Sequence, residues 1–163
     1  MHHFIAIAAL ATLLAAGHAA AQGASVGFDA GERDADTPVE VTAERLDVNQ
    51  TEGTAIFTGN VVVVQGDLRM TADRVRVEYG TTEPREIERI YAFDNVILIS
   101  PTEMAEGEEA VYEVATQIVV MTGDVLLTQD LSVVSGDTLT IDLDTGGGVV
   151  EGNVRTLLRT GGN

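Results

Sequence analysis

The chain has 163 residues, no cysteine, no tryptophan and a formal net charge of −17 at pH 7. That length supplies one domain with a core large enough to fold unaided, and the acidity makes nucleic acid and anionic membrane surfaces poor partners. Its histidines are His2, His3 and His18, and lysine is absent, so the chain beyond position 18 has no imidazole, thiol or amine side chain. Ser-His and Cys-His catalysis, Schiff-base chemistry and zinc binding are excluded there.

Residues 1–21 contain the uncharged apolar run FIAIAALATLLAAGHAAA, ending in Ala19-Ala20-Ala21. This pattern predicts a secretory signal peptide cleaved at an A-x-A site, although His2 and His3 stand where Lys or Arg is usual. The run is short and Ala-rich for a membrane span, and a retained anchor is the alternative to cleavage. Export to a bacterial periplasm is expected, a compartment that permits a domain without disulfides. Residues 22–36 (QGASVGFDAGERDAD) read as a flexible leader, 37–160 as the folded domain, and 161–163 as a disordered tail.

Within the domain two signatures recur. A small residue, an acid and an alternating apolar pair appear in AERLDV (43–48), ADRVRV (72–77), GEEAVY (107–112) and GDTLTI (136–141). A polar pair followed by valine appears in Gly59-Asn60-Val61, Asp94-Asn95-Val96, Gly123-Asp124-Val125 and Gly152-Asn153-Val154. The second residue of the pair precedes the next acid by 13 positions in Asn60/Asp73, Asn95/Glu108 and Asp124/Asp137. The acid precedes the next pair by 16 in Glu44/Asn60, Glu108/Asp124 and Asp137/Asn153, and by 22 in Asp73/Asn95. Val, Ile, Thr and Leu dominate, with Gly, Asn and Asp as punctuation, so the domain is expected to be all-β, a stack of hairpin-like units. The polar pairs are expected at the reversals, since Gly-Asn and Gly-Asp tolerate positive φ.

Strand parity assigns faces. Leu46 and Val48, Val75 and Val77, Ala110 and Tyr112, and Leu139 and Ile141 share one side, with mostly polar neighbours on the other. The runs Val61–Val64, Val96–Ile99 and Val125–Thr128 are apolar on both parities. Either they lie under cover on both faces, or one parity packs the sheet and the other lines a surface for an apolar ligand. Thr128 weakens one parity, which favours Val61, Val63, Val96, Leu98, Val125 and Leu127 as inward.

With FTGNVVVVQGDLRMTADRVRVEY, AEGEEAVYEV, IVVMTGDVLLTQ and TPVEVTAERL in place, the chain resembles the LptA/OstA family of lipopolysaccharide-transport proteins from about Thr37 to Leu158. The resemblance implies a twisted, incompletely closed β-jelly roll of stacked antiparallel strands. Its apolar groove would hold lipid A acyl chains, as carriage without chemistry and with no cofactor or metal. It implies self-assembly end to end, an anchored inner-membrane partner and the N-terminal domain of an outer-membrane translocon, with drive from an inner-membrane ATPase complex. By motif it carries lipid contacts to Val39, Val41, Tyr112, Val114 and Ile97. Two exposed edges are then expected, at Val39, Glu40, Val41 and Thr42 and at Val154, Arg155, Thr156, Leu157 and Leu158, each open to pairing with another strand.

Three other readings stand beside this one. Glu44, Asp73, Glu108 and Asp137 could form a carboxylate ladder in a carbohydrate-active β-solenoid, since two carboxylates suffice for glycosidic cleavage. Their recurrence at one position of every unit points instead to a structural role. DLDTGGG (142–148) lacks the loop spacing of an EF-hand calcium site. A β-scaffold without a ligand is the third.

Overall fold

The β-branched runs form eleven strands in a computed structural model that describes residues 23–31 and 37–158. They are β1 (Ala24–Gly27), β2 (Glu40–Thr42), β3 (Arg45–Asn49), β4 (Thr54–Gln65), β5 (Leu68–Tyr79), β6 (Ile87–Ile99), β7 (Glu103–Glu113), β8 (Ile118–Gln129), β9 (Ser132–Asp142), β10 (Gly147–Glu151) and β11 (Arg155–Leu158). One antiparallel sheet runs β1-β10-β9-β8-β7-β6-β5-β4-β2, with β3 also on β4 and β11 also on β9. Its two ends do not pair with each other, so the sheet is a jelly roll that stops short of a barrel. The predicted signal peptide and the 161–163 tail lie outside the described residues.

The hairpins are those expected, but their turns fall elsewhere in the repeat. Asn60, Asp94, Asn95 and Asp124 have positive φ as anticipated, yet they sit in the middle of β4, β6 and β8. The register shifts there in every long pairing: Thr58/Val61, Thr71/Arg74, Phe93/Val96, Glu106/Glu109 and Thr122/Val125. These are β-bulges, which bend a strand and strengthen its twist. A bulge and a tight turn make the same demand for positive φ, so the dipeptide alone does not separate them. The acid of the first signature faces the polar pair. Asn60 Nδ2 donates to Glu44 Oε1 at 2.5 Å, Asn95 Nδ2 to Asp73 Oδ2 at 2.8 Å and Asn153 Nδ2 to Asp137 Oδ2 at 2.8 Å. The spacings of 16 and 22 are thus the spans between clamp partners. Gly59 and Gly123 combine φ of 86° and 84° with close approach: an added Cβ would lie 2.5 Å from Glu44 and 2.6 Å from Glu108. Only glycine meets both demands.

Bending at the bulges divides β4–β9 into half-strands whose inner faces meet. Residues directly opposed across a ladder share a face, which gives continuous inner rows. One runs Leu46, Phe57, Val75, Ala92, Ala110, Met121, Leu139 and Val150. A second, beyond the bulges, runs Val41, Val63, Met70, Leu98, Ala105, Leu127 and Val134. Nearly all of these belong to a single buried core.

The four-valine run is explained by the two faces. Val61 and Val63 are buried, whereas Val62 and Val64 face outward and stay half-exposed. Ile97, Ile99 and Leu126 share that outer face. The outward parity is therefore not covered by a second layer.

The flexible leader is corrected in its described part. Ala24–Gly27 form β1 on the edge of β10, and Phe28 and Ala30 are buried in the core. The segment carries Val26 and Phe28 at strand spacing, enough to seal a free edge, but its Gly and Asp content hides this in composition.

Candidate functional site: an apolar interior between half-strands

Among the described residues the interior leaves a partly open apolar space. Val63 and Gln65 of β4, Leu68 and Met70 of β5 and Leu98 of β6 line it from one set of half-strands. Ile90 of β6, Ala110 and Tyr112 of β7, Val119 of β8 and Leu143 line it from the other, with Val39 at the rim. Gln65 is the one amide in the wall, and its Nε2 is occupied by the Thr37 carbonyl at 3.1 Å. No charged side chain lines the space. Its volume is about 40 Å³, room for about three waters and far less than a long alkyl chain. Hydrocarbon can enter only if the walls part.

The expected groove residues divide into four sets. Val39, Val63, Leu98 and Tyr112 line the space. Val61, Val75, Val77, Val96, Val125, Leu127, Leu139 and Ile141 are buried on the inner face as packed core, and Val41 packs against that core while half-buried. Leu46 and Val48 share inner rows with Phe57 and Ala55 but are 52% and 62% exposed, because β3 ends the sheet and nothing faces them. Ile97 and Val114 are misplaced as groove residues. Ile97 points outward between Thr71 and Glu106, as simple alternation with its buried neighbours Val96 and Leu98 requires, so the motif carry-over conflicts with strand parity there. Val114 lies past the end of β7, in a separate crevice with Gly80, Pro84 and Ile87. Sequence reasoning missed Leu68, Met70, Ile90, Val119 and Leu143. Met70 opposite Val63 was within reach of parity, as were Leu68, two residues before Met70, and Leu143, two residues after Ile141.

The expected edges lie at the two ends of the sheet. Among the described residues, Glu40, Val41 and Thr42 pair only with β4, and Arg155, Thr156, Leu157 and Leu158 only with β9, leaving each outer side open. Val39 and Val154 immediately precede these strands. Leu157 and Leu158 are strongly exposed.

The charged groups lie outside the interior. On the outer face Arg74 stacks over Phe93 and Arg76 over Tyr91, each 4.4 Å from the ring centroid. The Tyr91 hydroxyl and then Glu113, 3.1 Å away, hold the Arg89 guanidinium above its ordinary pKa. Glu44 and Asp73 each accept an Asn amide at a bulge, Asp137 accepts one from Asn153 in the link between β10 and β11, and Glu108 packs against Gly123 at a further bulge. The ladder is accounted for as a set of structural clamps. In the 142–148 stretch the Asp142 carboxylate accepts the amides of Asp144 and Thr145 at 2.9 and 3.0 Å. Those bonds, the Thr145 amide first, lower its pKa. No group of three metal-ligating side chains is found among the described residues.

A bent sheet that does not close on itself, folded around an uncharged aliphatic interior, defines an incompletely closed β-jelly roll. The chain belongs to the family described as LptA/(LptD N-terminal domain) LPS transport protein, whose model matches residues 40–147. It is 32% identical over 149 residues, 87% of this chain and 80% of the relative, to an uncharacterised protein of Rhizobium meliloti. It is 29% identical over 113 residues to the lipopolysaccharide export system protein LptA of Escherichia coli K12, 66% of this chain and 60% of that protein. Its fold is shared with LptH, the LptA-homologous periplasmic component of the lipopolysaccharide transport device of Pseudomonas aeruginosa. That match has a TM-score of 0.71 at 16% identity and covers 79% of this chain and all of that structure.

Proposed function

We propose that this protein is a periplasmic carrier that shelters lipopolysaccharide acyl chains between its half-strands and passes them along without chemistry. The observation that carries the reading is the uncharged wall running between the two sets of half-strands, from Val39 to Leu143. Burying one CH₂ contributes about 0.8 kcal/mol, so an acyl chain of a dozen carbons resists water by roughly 10 kcal/mol. A lipid with several such chains needs continuous cover to cross an aqueous compartment. A wall of Val, Leu, Ile and Met supplies contacts that are alike from rung to rung, so a chain slides without meeting a deep trap. Charges kept on the outer face and at the bulges leave that path level.

Assembly follows from the two ends. The open sides of β2 and β11 carry unpaired backbone groups, which take up another strand by β-augmentation. Copies joined end to end would align their interiors into one conduit, with a membrane-anchored partner at one end and the N-terminal domain of an outer-membrane translocon at the other. The relatives that bear a functional name are transport and export proteins, in keeping with a role that needs no catalysis.

The test is binding of purified lipopolysaccharide and of a fluorescent fatty acid. Tyr112→Glu and Val39→Glu, at half-buried lining positions, should weaken both while the β circular dichroism stays intact. Unchanged affinity in both folded variants removes the groove. Assembly should give concentration-dependent light scattering that truncation before Val154 abolishes; a strict monomer at high concentration refutes it.

A further inference from the structure

The segment Gly23–Gly31 does more than extend the sheet. From β1 it crosses the open side of the roll, touching three hairpin tips in turn. Gln129 Nε2 at the β8–β9 tip donates to the Gly27 carbonyl. The Asp29 amide donates to Glu103 Oε2 at 3.0 Å beside the β6–β7 tip, where the same oxygen accepts the Ser100 hydroxyl at 2.7 Å. Gly31 lies against Asp67 and Pro101, at the β4–β5 and β6–β7 tips. Between the first two contacts the Phe28 amide donates to the Gly146 carbonyl at 2.8 Å, and its ring, 2% exposed, enters the core. Phe28 shares a crevice with Leu143, which also lines the apolar space.

The strap's hold through the strand itself is slight, and Phe28 is its main anchor. β1 is four residues long, and two of the residues it faces are Gly147 and Gly148, which supply no cross-strand side-chain pair. Yet it fills the one side of β10 that would otherwise be an open edge, and Phe28 packs into the core beside Leu143, which lines the apolar space.

We propose that Gly23–Gly31 is a displaceable strap, standing in for the edge strand of a second copy on β10, and that its departure withdraws Phe28 and opens the interior. The inference rests on the carrier reading and adds to it that docking and loading are one event. The incoming strand is a second copy's because β1 demonstrates that this edge accepts a short antiparallel strand of this same chain. The opposite end of the sheet also offers such a strand with a free side, in β2.

A disulfide tests it directly. Ser25 and Val149 are exposed and directly opposed; such pairs have Cα atoms about 4.5–5.5 Å apart, within disulfide range. The chain has no other cysteine, so Ser25→Cys/Val149→Cys forms a single bond. Oxidised, this variant should take up a fluorescent dodecanoic acid at least tenfold more weakly and lose concentration-dependent light scattering. Dithiothreitol should restore both. A variant lacking residues 23–36 should load and assemble at lower concentration than the parent. Loading and assembly unaffected by oxidation overturn the proposal, and loss of one without the other overturns the coupling. If neither the parent nor the deletion variant takes up probe, the groove reading falls, and the strap is judged by whether oxidation blocks assembly.

Discussion

Replacing Leu98 by alanine tests whether the inner face is a packed wall. Leu98 is 3% exposed, sits in β6 between Met70 and Ala105, and lines the apolar space. Removing three carbons from such a site costs the transfer energy and leaves a cavity, about 2–5 kcal/mol for Leu→Ala. Against a total stability of about 5–15 kcal/mol for a domain, that is a large fraction. With a urea dependence of about 1–3 kcal/mol per molar, a loss of about 3 kcal/mol moves the midpoint down by roughly 1–3 M. The slope should not change, since the surface exposed on unfolding is nearly the same. Ile97→Ala, one residue away on the outer face, removes a comparable side chain from a half-exposed site and should cost about 1 kcal/mol or less. The enlarged interior of Leu98→Ala should also be refilled by ligand: a fatty acid at a hundred times its Kd restores about 2.7 kcal/mol. Equal losses at 97 and 98, or a loss at 98 below about 1 kcal/mol, would refute the assignment of faces.

Three further outcomes are expected. In a double-mutant cycle on Asp73→Ala and Asn95→Ala, the bulge clamp should show a coupling of about 0.5–1.5 kcal/mol in chemical denaturation; zero coupling would remove the clamp. Gly123→Ala, which forces a Cβ toward Glu108 at a φ of 84°, should destabilise by about 1–3 kcal/mol, whereas Gly147→Ala, at an ordinary φ with open surroundings, should stay within about 1 kcal/mol. The Asp142 carboxyl has a lowered pKa, so its native state binds fewer protons than the unfolded chain. Its contribution is present above the ordinary carboxylate pKa and is lost as pH falls through the lower native value. Asp142→Asn should lower stability near neutrality, where that contribution is fully present, and flatten the acid limb of the stability curve so that the two proteins converge at low pH.

How much of this was legible in the chain depends on the level. The all-β class and the repeat were open to view, because strand periodicity and the 13 and 16 spacings are local facts about residue order. The inward parity of Val61, Val63, Val96 and Leu98 could be inferred from one polar residue, Thr128. The bulges were hidden: Gly59-Asn60 reads the same whether the chain reverses or merely bends, and only the partner strand decides. Ile97 was misplaced for another reason: the motif carry-over put it inward although alternation with Val96 and Leu98 already put it on the outer face. The exposure of Leu46 and Val48 was invisible too, since it depends on β3 being last in the sheet. The strap illustrates tertiary context most strongly. Ala24–Gly27 have little to declare them a strand until β10 presents an edge.

The central claim, that hydrocarbon lies against the inner face, is tested most directly by a fatty acid carrying a nitroxide near its methyl end, observed by methyl NMR. Adjacent residues on one strand serve as their own control. The account predicts strong broadening of the Val63, Leu98, Ile90 and Val119 methyl signals, with Val62, Ile97 and Leu126 nearly untouched. Broadening of the outer set with the inner set spared would place the alkyl chain on the wrong side of the sheet and contradict the account.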